Sequence, residues 1–85
     1  MSQTQVQNFM TLYKSHKTVH ANKITKVTDS SISFDCNGTE IESAEGEAWI
    51  TKHEPKVGGY YVIYKDGYRS YSPAEAFEDG YTAVL

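Results

Sequence analysis

The sequence predicts an α+β fold, a small antiparallel sheet of about five strands with short helices packed on it, and three observations predict it. Strand-like runs rich in β-branched and aromatic residues recur between turn signals: KTVHANKITKV, SISF, TEIES, YYVIY and YRSYS. Two of the turns are NG and DG dipeptides, the strongest short-range signal for a hairpin. Two short segments, SAEGEAWITKHEP and SPAEAFEDG, carry helix start and stop signals. Eighty-five residues make one domain over 1–85, too short for two independent cores.

The elements follow in order. Val6, Phe9, Met10 and Tyr13 fall at helical spacing, with Ser2 or Thr4 as cap, so residues 1–13 predict a loosely docked N-terminal helix. KTVHANKITKV then reads as a strand. Its apolar residues change face between Ala21 and Ile24, which predicts a bulge near Asn22. Asp29 lies in a turn, SISF is the second strand, and Asn37-Gly38 turns it into TEIES. In the central helix Ser43 is the expected cap, Trp49 and Ile50 the buried residues, and Pro55 the stop. KVGG reads as a flexible loop. YYVIY and YRSYS form a hairpin through a type I′ turn at Asp66-Gly67. That turn sets Tyr64 opposite Arg69 and Val62 opposite Tyr71, placing Tyr60, Val62, Tyr64, Arg69 and Tyr71 on one face. Ser72, Pro73 and Glu75 spell a capped helix start, and Gly80 a left-handed stop.

Composition narrows the function classes. Cys36 is the single cysteine, which excludes an internal disulfide and fits a reducing compartment. No apolar run reaches membrane-spanning length and the start MSQTQVQN lacks the apolar core of a secretory signal, so a cytosolic protein without membrane contact is expected. A core this small gains from self-association, and a dimer or higher oligomer is expected. The net charge of −3 is uneven: residues 1–28 hold four lysines and no acid, and all eleven acids lie from Asp29 onward. Such asymmetry can steer oppositely charged partners to different faces, although mutual neutralisation in the folded state is the plainer reading.

KTVHANKI, followed by KHEPKVGGYYVIYKDGYRSYSPAEAFEDGYT, resembles a family of small accessory proteins of bacteriophages and prophages. Its members share a strand K-x-V-x-A-x-K-I and a tail KHxPxxGGYYVxYxDGYxSxSPxxAFxxGY, and the similarity spans about residues 17–82. The resemblance implies an accessory protein working in the host bacterial cytoplasm, and brings no catalytic residues with it.

No catalytic set, cofactor or metal site is expected. His16 and His20 have ligand-like spacing but no third ligand beside them, and nothing around Cys36 resembles an active-site turn. The expected function is therefore non-enzymatic: occlusion of a host defence protein, an anti-CRISPR-like role, through Glu42, Glu45, Glu47, Lys65, Tyr68 and Arg69. Those carboxylates, together with Asp35, Glu40 and Glu54, could stand where nucleic-acid phosphates would lie. The alternatives are sequestration of a nucleotide signal or contact with nucleic acid. Lys17, Lys23, Lys26 and Arg69 would take phosphate there, with Tyr71 stacking on a base. Tyr60 and Tyr64 are weighed toward the core.

Overall fold

The computed structural model describes residues 10–14 and 18–83. Among them the chain runs β1 (Leu12–Lys14), β2 (Thr18–Val27), β3 (Ile32–Cys36), β4 (Thr39–Ser43), α1 (Glu47–His53), β5 (Tyr60–Ile63), β6 (Arg69–Ser72), α2 (Ala74–Gly80) and β7 (Thr82–Ala83). The fold is α+β as predicted, and every strand pairing is antiparallel. Among the described residues the sheet has seven strands, because short β1 and β7 add to those legible as strand patterns.

Strand β2 organises the sheet. Its first half pairs with β1 (Tyr13 opposite Val19) and with β5 (Ala21 opposite Val62). Its second half pairs with β3, and β3 with β4. Residues along β2 and β5 alternate between two hydrophobic clusters. Ile24, Tyr61 and Ile63 join Ile32, Phe34 and Cys36, with Trp49 and Ile50 of α1 packed against them. Val19, Ala21, Tyr60 and Val62 instead meet Phe77 of α2. All four residues of β5 are buried, which accounts for the unbroken apolar run there. Burying Phe77 alone contributes about 2–3 kcal/mol.

This two-sided burial corrects the expected bulge near Asn22. Ala21 and Ile24 face opposite clusters because both faces are covered, and no register break separates them. Asn22 is buried with its amide satisfied: its Oδ1 accepts the Thr11 N–H at 2.9 Å, and its Nδ2 donates to the Thr11 hydroxyl at 2.9 Å. The bulge lies at Thr25, between the pairs Ile24–Phe34 and Lys26–Ser33.

The predicted N-terminal helix is corrected at its end, where Leu12–Lys14 is a strand drawn into the sheet by β2 and β7; residues 1–9 lie outside the described residues. The Asn37-Gly38 turn is as expected, with φ of 53° and 87° joining Cys36 to Thr39. The β5–β6 turn is not. Gly67 N–H donates to the Tyr64 carbonyl (2.9 Å), Tyr64 N–H donates to the Tyr68 carbonyl (2.9 Å), and Gly67 alone has positive φ within the turn. That is the pattern of a type I turn closed by a glycine bulge. The extra residue slips the register by one, setting Ile63 opposite Arg69 and Tyr61 opposite Tyr71. Arg69 and Tyr71 therefore share the face of Tyr61 and Ile63, away from Tyr60 and Val62.

Both helix starts also differ from expectation. Ser43 closes β4, and Gly46 (φ 96°) precedes α1 with no side-chain cap. At α2 the N-cap position falls on Pro73, no side chain caps it, and the Ser72 hydroxyl approaches the Pro73 carbonyl instead. Gly80 is the last helical residue without positive φ, and extended Tyr81 follows it. The loop read as KVGG is tied to β2: Gly58 N–H donates to the Ile24 carbonyl, and Ile24 N–H to the Gly59 carbonyl.

Candidate functional site

The predicted contact residues do not gather in one place. On the outer face of β3 and β4, Asp35 stands directly opposite Glu40, and Glu42 lies opposite Ser33. Like charges facing across strands are unfavourable unless each has a partner. Each has one: Asp35 accepts the Gly38 N–H at 3.0 Å, Glu40 the Thr25 hydroxyl at 2.6 Å, and Glu42 the Ser31 hydroxyl at 2.8 Å. Glu47 is exposed in the first turn of α1.

Glu45 is not part of that acidic face. Its side chain is 3% exposed, and one carboxylate oxygen accepts from Arg69 Nη1 at 2.8 Å, the Tyr61 hydroxyl at 2.7 Å and the Ser43 hydroxyl. These donors come from β6, β5 and β4, so the carboxylate ties three strands to the entry of α1. Burial first, then the bond to Glu45, pushes the Tyr61 phenol above its ordinary value, so it stays protonated. Arg69, expected in both contact sets, has its guanidinium turned onto Glu45 instead.

The basic set is dispersed. Lys17 lies outside the described residues, as does His16. Lys23 is exposed and pairs with Glu78 at 3.5 Å, on the α2 side where Glu78 also accepts the Tyr60 hydroxyl. Lys26 is exposed at the far end of β2. Tyr71 packs half-buried against the other cluster, its ring lying over Gly59. Cys36 is buried, and burial, followed by neighbouring Asp35, raises its thiol pKa, which keeps it protonated. Among the described residues no group of His, Cys, Asp or Glu could hold a metal ion, and no helix is long and apolar enough to cross a membrane.

The α1 C-terminus and the tip of the β5–β6 hairpin build a surface that the sequence reading only partly named. Tyr68 is 47% exposed, yet contacts hold it from several sides. Its N–H donates to Asp66 Oδ1 at 3.0 Å, its ring stacks on Tyr64 with centroids 6.0 Å apart, and Lys52 Nζ donates to its hydroxyl at 3.2 Å. That ammonium is 5.6 Å from the ring centroid but 3.2 Å from the oxygen, so the hydrogen bond rather than a cation–π contact dominates. His53 lies 6.3 Å from Tyr68 and 4.5 Å from Trp49 by ring centroids. Burial first, then the Lys52 charge, lowers the His53 pKa below its ordinary 6.5, with Glu45 opposing. The imidazole is therefore neutral at pH 7. Trp49 Nε1–H donates to the Arg69 carbonyl at 3.1 Å, fastening the helix to the hairpin. Exposed Lys65 occupies the turn.

Tyr68 and Lys65 were legible as contact candidates, while Lys52, His53 and Tyr64 were missed. Their signal is the KH pair at a helix end, where basic residues ordinarily serve only to complement the helix dipole. No protein-family model, curated protein or solved structure matches this chain.

Proposed function

We propose that this protein is a non-enzymatic accessory binding protein of a bacteriophage, acting in the host bacterial cytoplasm by occluding a host defence protein. Its resemblance to phage accessory proteins supplies the biological setting. The observation that carries the binding role is Tyr68: a large aromatic side chain, half exposed, fixed by Asp66, Tyr64 and Lys52 before any partner arrives. Pre-ordered aromatic anchors of this kind carry a large share of binding energy, because little side-chain freedom is lost on docking. The contact set is then Tyr68, Tyr64, Lys52 and Lys65, with Glu42 and Glu47 available on the acidic side and Glu45 and Arg69 serving the scaffold. Sequestration of a nucleotide is less well supported, since Lys23, Lys26, Arg69 and Tyr71 do not converge.

Self-association belongs to the same proposal, because a chain of this length buries only about 60–65% of its unfolded surface. Light scattering should give a mass above that of one chain. Capture from host lysate tests the docking role. Tagged wild-type protein should retain a host protein that Tyr68→Ala, shown to be folded by its thermal transition, fails to retain. Equal retention by both would remove Tyr68 from the contact surface.

A further inference from the structure

Resting on the docking reading above, we infer that Lys52 and Tyr68 form a two-donor site for a carboxylate side chain of the partner protein. The chemistry follows from which atom donates. An ammonium only donates, so the 3.2 Å contact makes the Tyr68 hydroxyl an acceptor from Lys52 and leaves the hydroxyl's own hydrogen unspent. An ammonium has three N–H donors, so Lys52 Nζ has two besides the one given to Tyr68. Both groups are exposed. The result is an O–H and an N–H donor side by side, close enough to serve the two oxygens of one carboxylate. The ammonium polarises the phenol, so both bonds are charge-assisted.

Charge selects a carboxylate over a phosphate monoester. Lys52 is the single full positive charge bonded to Tyr68, because His53 is neutral and Arg69 is committed to Glu45. In the turn the neighbours Lys65 and Asp66 together carry no net charge, and the Asp66 carboxylate accepts the Tyr68 N–H. One cation and one polarised hydroxyl match a group of one negative charge. The Tyr64 ring stacked on Tyr68 and the hairpin turn keep the hydroxyl in place, so the site needs no rearrangement.

The test needs no host protein. An acetylated peptide of alternating Glu and Gly is titrated into the isotope-labelled protein while amide resonances are followed, beside its Gln counterpart and inorganic phosphate. The Glu peptide should shift the amides of Lys52, His53 and Tyr68, and the Gln peptide should not. Tyr68→Phe keeps the ring and removes the donor, and should weaken the Glu peptide about fivefold to tenfold; Lys52→Met should weaken it at least as much. Equal binding of the Gln peptide, unchanged affinity in Tyr68→Phe, or phosphate binding more tightly than the Glu peptide would each overturn the assignment. Host-protein capture lost in Tyr68→Ala but fully kept in Tyr68→Phe would also overturn it, while leaving the docking surface standing.

Discussion

Removing the Glu45 carboxylate should be the most damaging single truncation of a charged group in this fold. The oxygen it supplies is shared by Arg69, Tyr61 and Ser43, and its side chain is only 3% exposed. Glu45→Ala removes the one buried acceptor that the Arg69 guanidinium, the Tyr61 phenol and the Ser43 hydroxyl share. Breaking a buried pair from one side costs about 3–5 kcal/mol. Arg69 remains 25% exposed and regains some hydration, which places the expected loss near the lower end, about 3 kcal/mol. For a domain of this size each kcal/mol moves the thermal midpoint by about 4–8 °C, so a fall of at least ~12 °C is expected. Urea unfolding followed by Trp49 fluorescence reads the same change, since Trp49 sits 5.9 Å from Tyr61 by ring centroids. The double variant Glu45→Gln with Arg69→Met removes both charges, and should recover part of the loss that Glu45→Ala alone incurs. A destabilisation below about 1 kcal/mol for Glu45→Ala would refute the argument, because that is the size of an exposed ion pair.

The remaining predictions concern backbone and pH. Gly59→Ala should cost about 1–3 kcal/mol by denaturant unfolding, because a Cβ there would lie 2.4 Å from Tyr71 Cε1 and 2.9 Å from its Cζ. Replacing Tyr71 by Leu in the same background should relieve much of that cost. Ser72→Ala should leave stability within about 0.5 kcal/mol, as its hydroxyl does not cap α2. Gly80→Ala should raise stability by about 0.5 kcal/mol, because the position is helical, lacks positive φ and has open space for a Cβ. The Tyr60 and Tyr61 phenols are raised above their ordinary 10 in the folded state, by burial first and then by their bonds to Glu78 and Glu45. A raised folded pKa means that the unfolded chain loses its protons first. Stability is therefore complete below pH 10 and declines as pH rises beyond it. Urea midpoints taken across that range should show a shallower decline in Tyr61→Phe.

The fold class was legible because its strands announce themselves through composition and its turns through NG and DG. The misreadings have particular causes. The face change between Ala21 and Ile24 implies a bulge only in a strand buried on one side, whereas β2 is covered on both faces. Asp66-Gly67 admits both a two-residue and a three-residue turn, and only the pairing of Ile63 with Arg69 distinguishes them. That single step moved Arg69 from a presumed surface contact to Glu45. Glu45 itself carried no local mark of burial: in the sequence it is one acid among several, and its three donors arrive from Ser43, Tyr61 and Arg69. The Lys52–Tyr68 bond likewise joins residues sixteen apart, through a helix end and a hairpin that meet only after folding.

The sharing of β2 between two sets of partners bears on how the chain assembles as it is made. Strands β2, β3 and β4 lie next to one another in sequence, joined by tight turns at Thr28–Ser31 and Asn37-Gly38, so their meander can pair as soon as residue 43 is available. The other edge of β2 has to wait for β5. Ala21 meets Val62 only by closing a loop of some forty residues, a slower step than any hairpin. Until then Ile24, Phe34 and Ile32 lack Tyr61 and Ile63, and a nascent chain halted before Tyr60 has only part of that cluster's cover, from Trp49 and Ile50 of α1. β5 supplies residues to both clusters, Tyr61 and Ile63 to one and Tyr60 and Val62 to the other, so the last third of the chain joins the meander to the rest of the core.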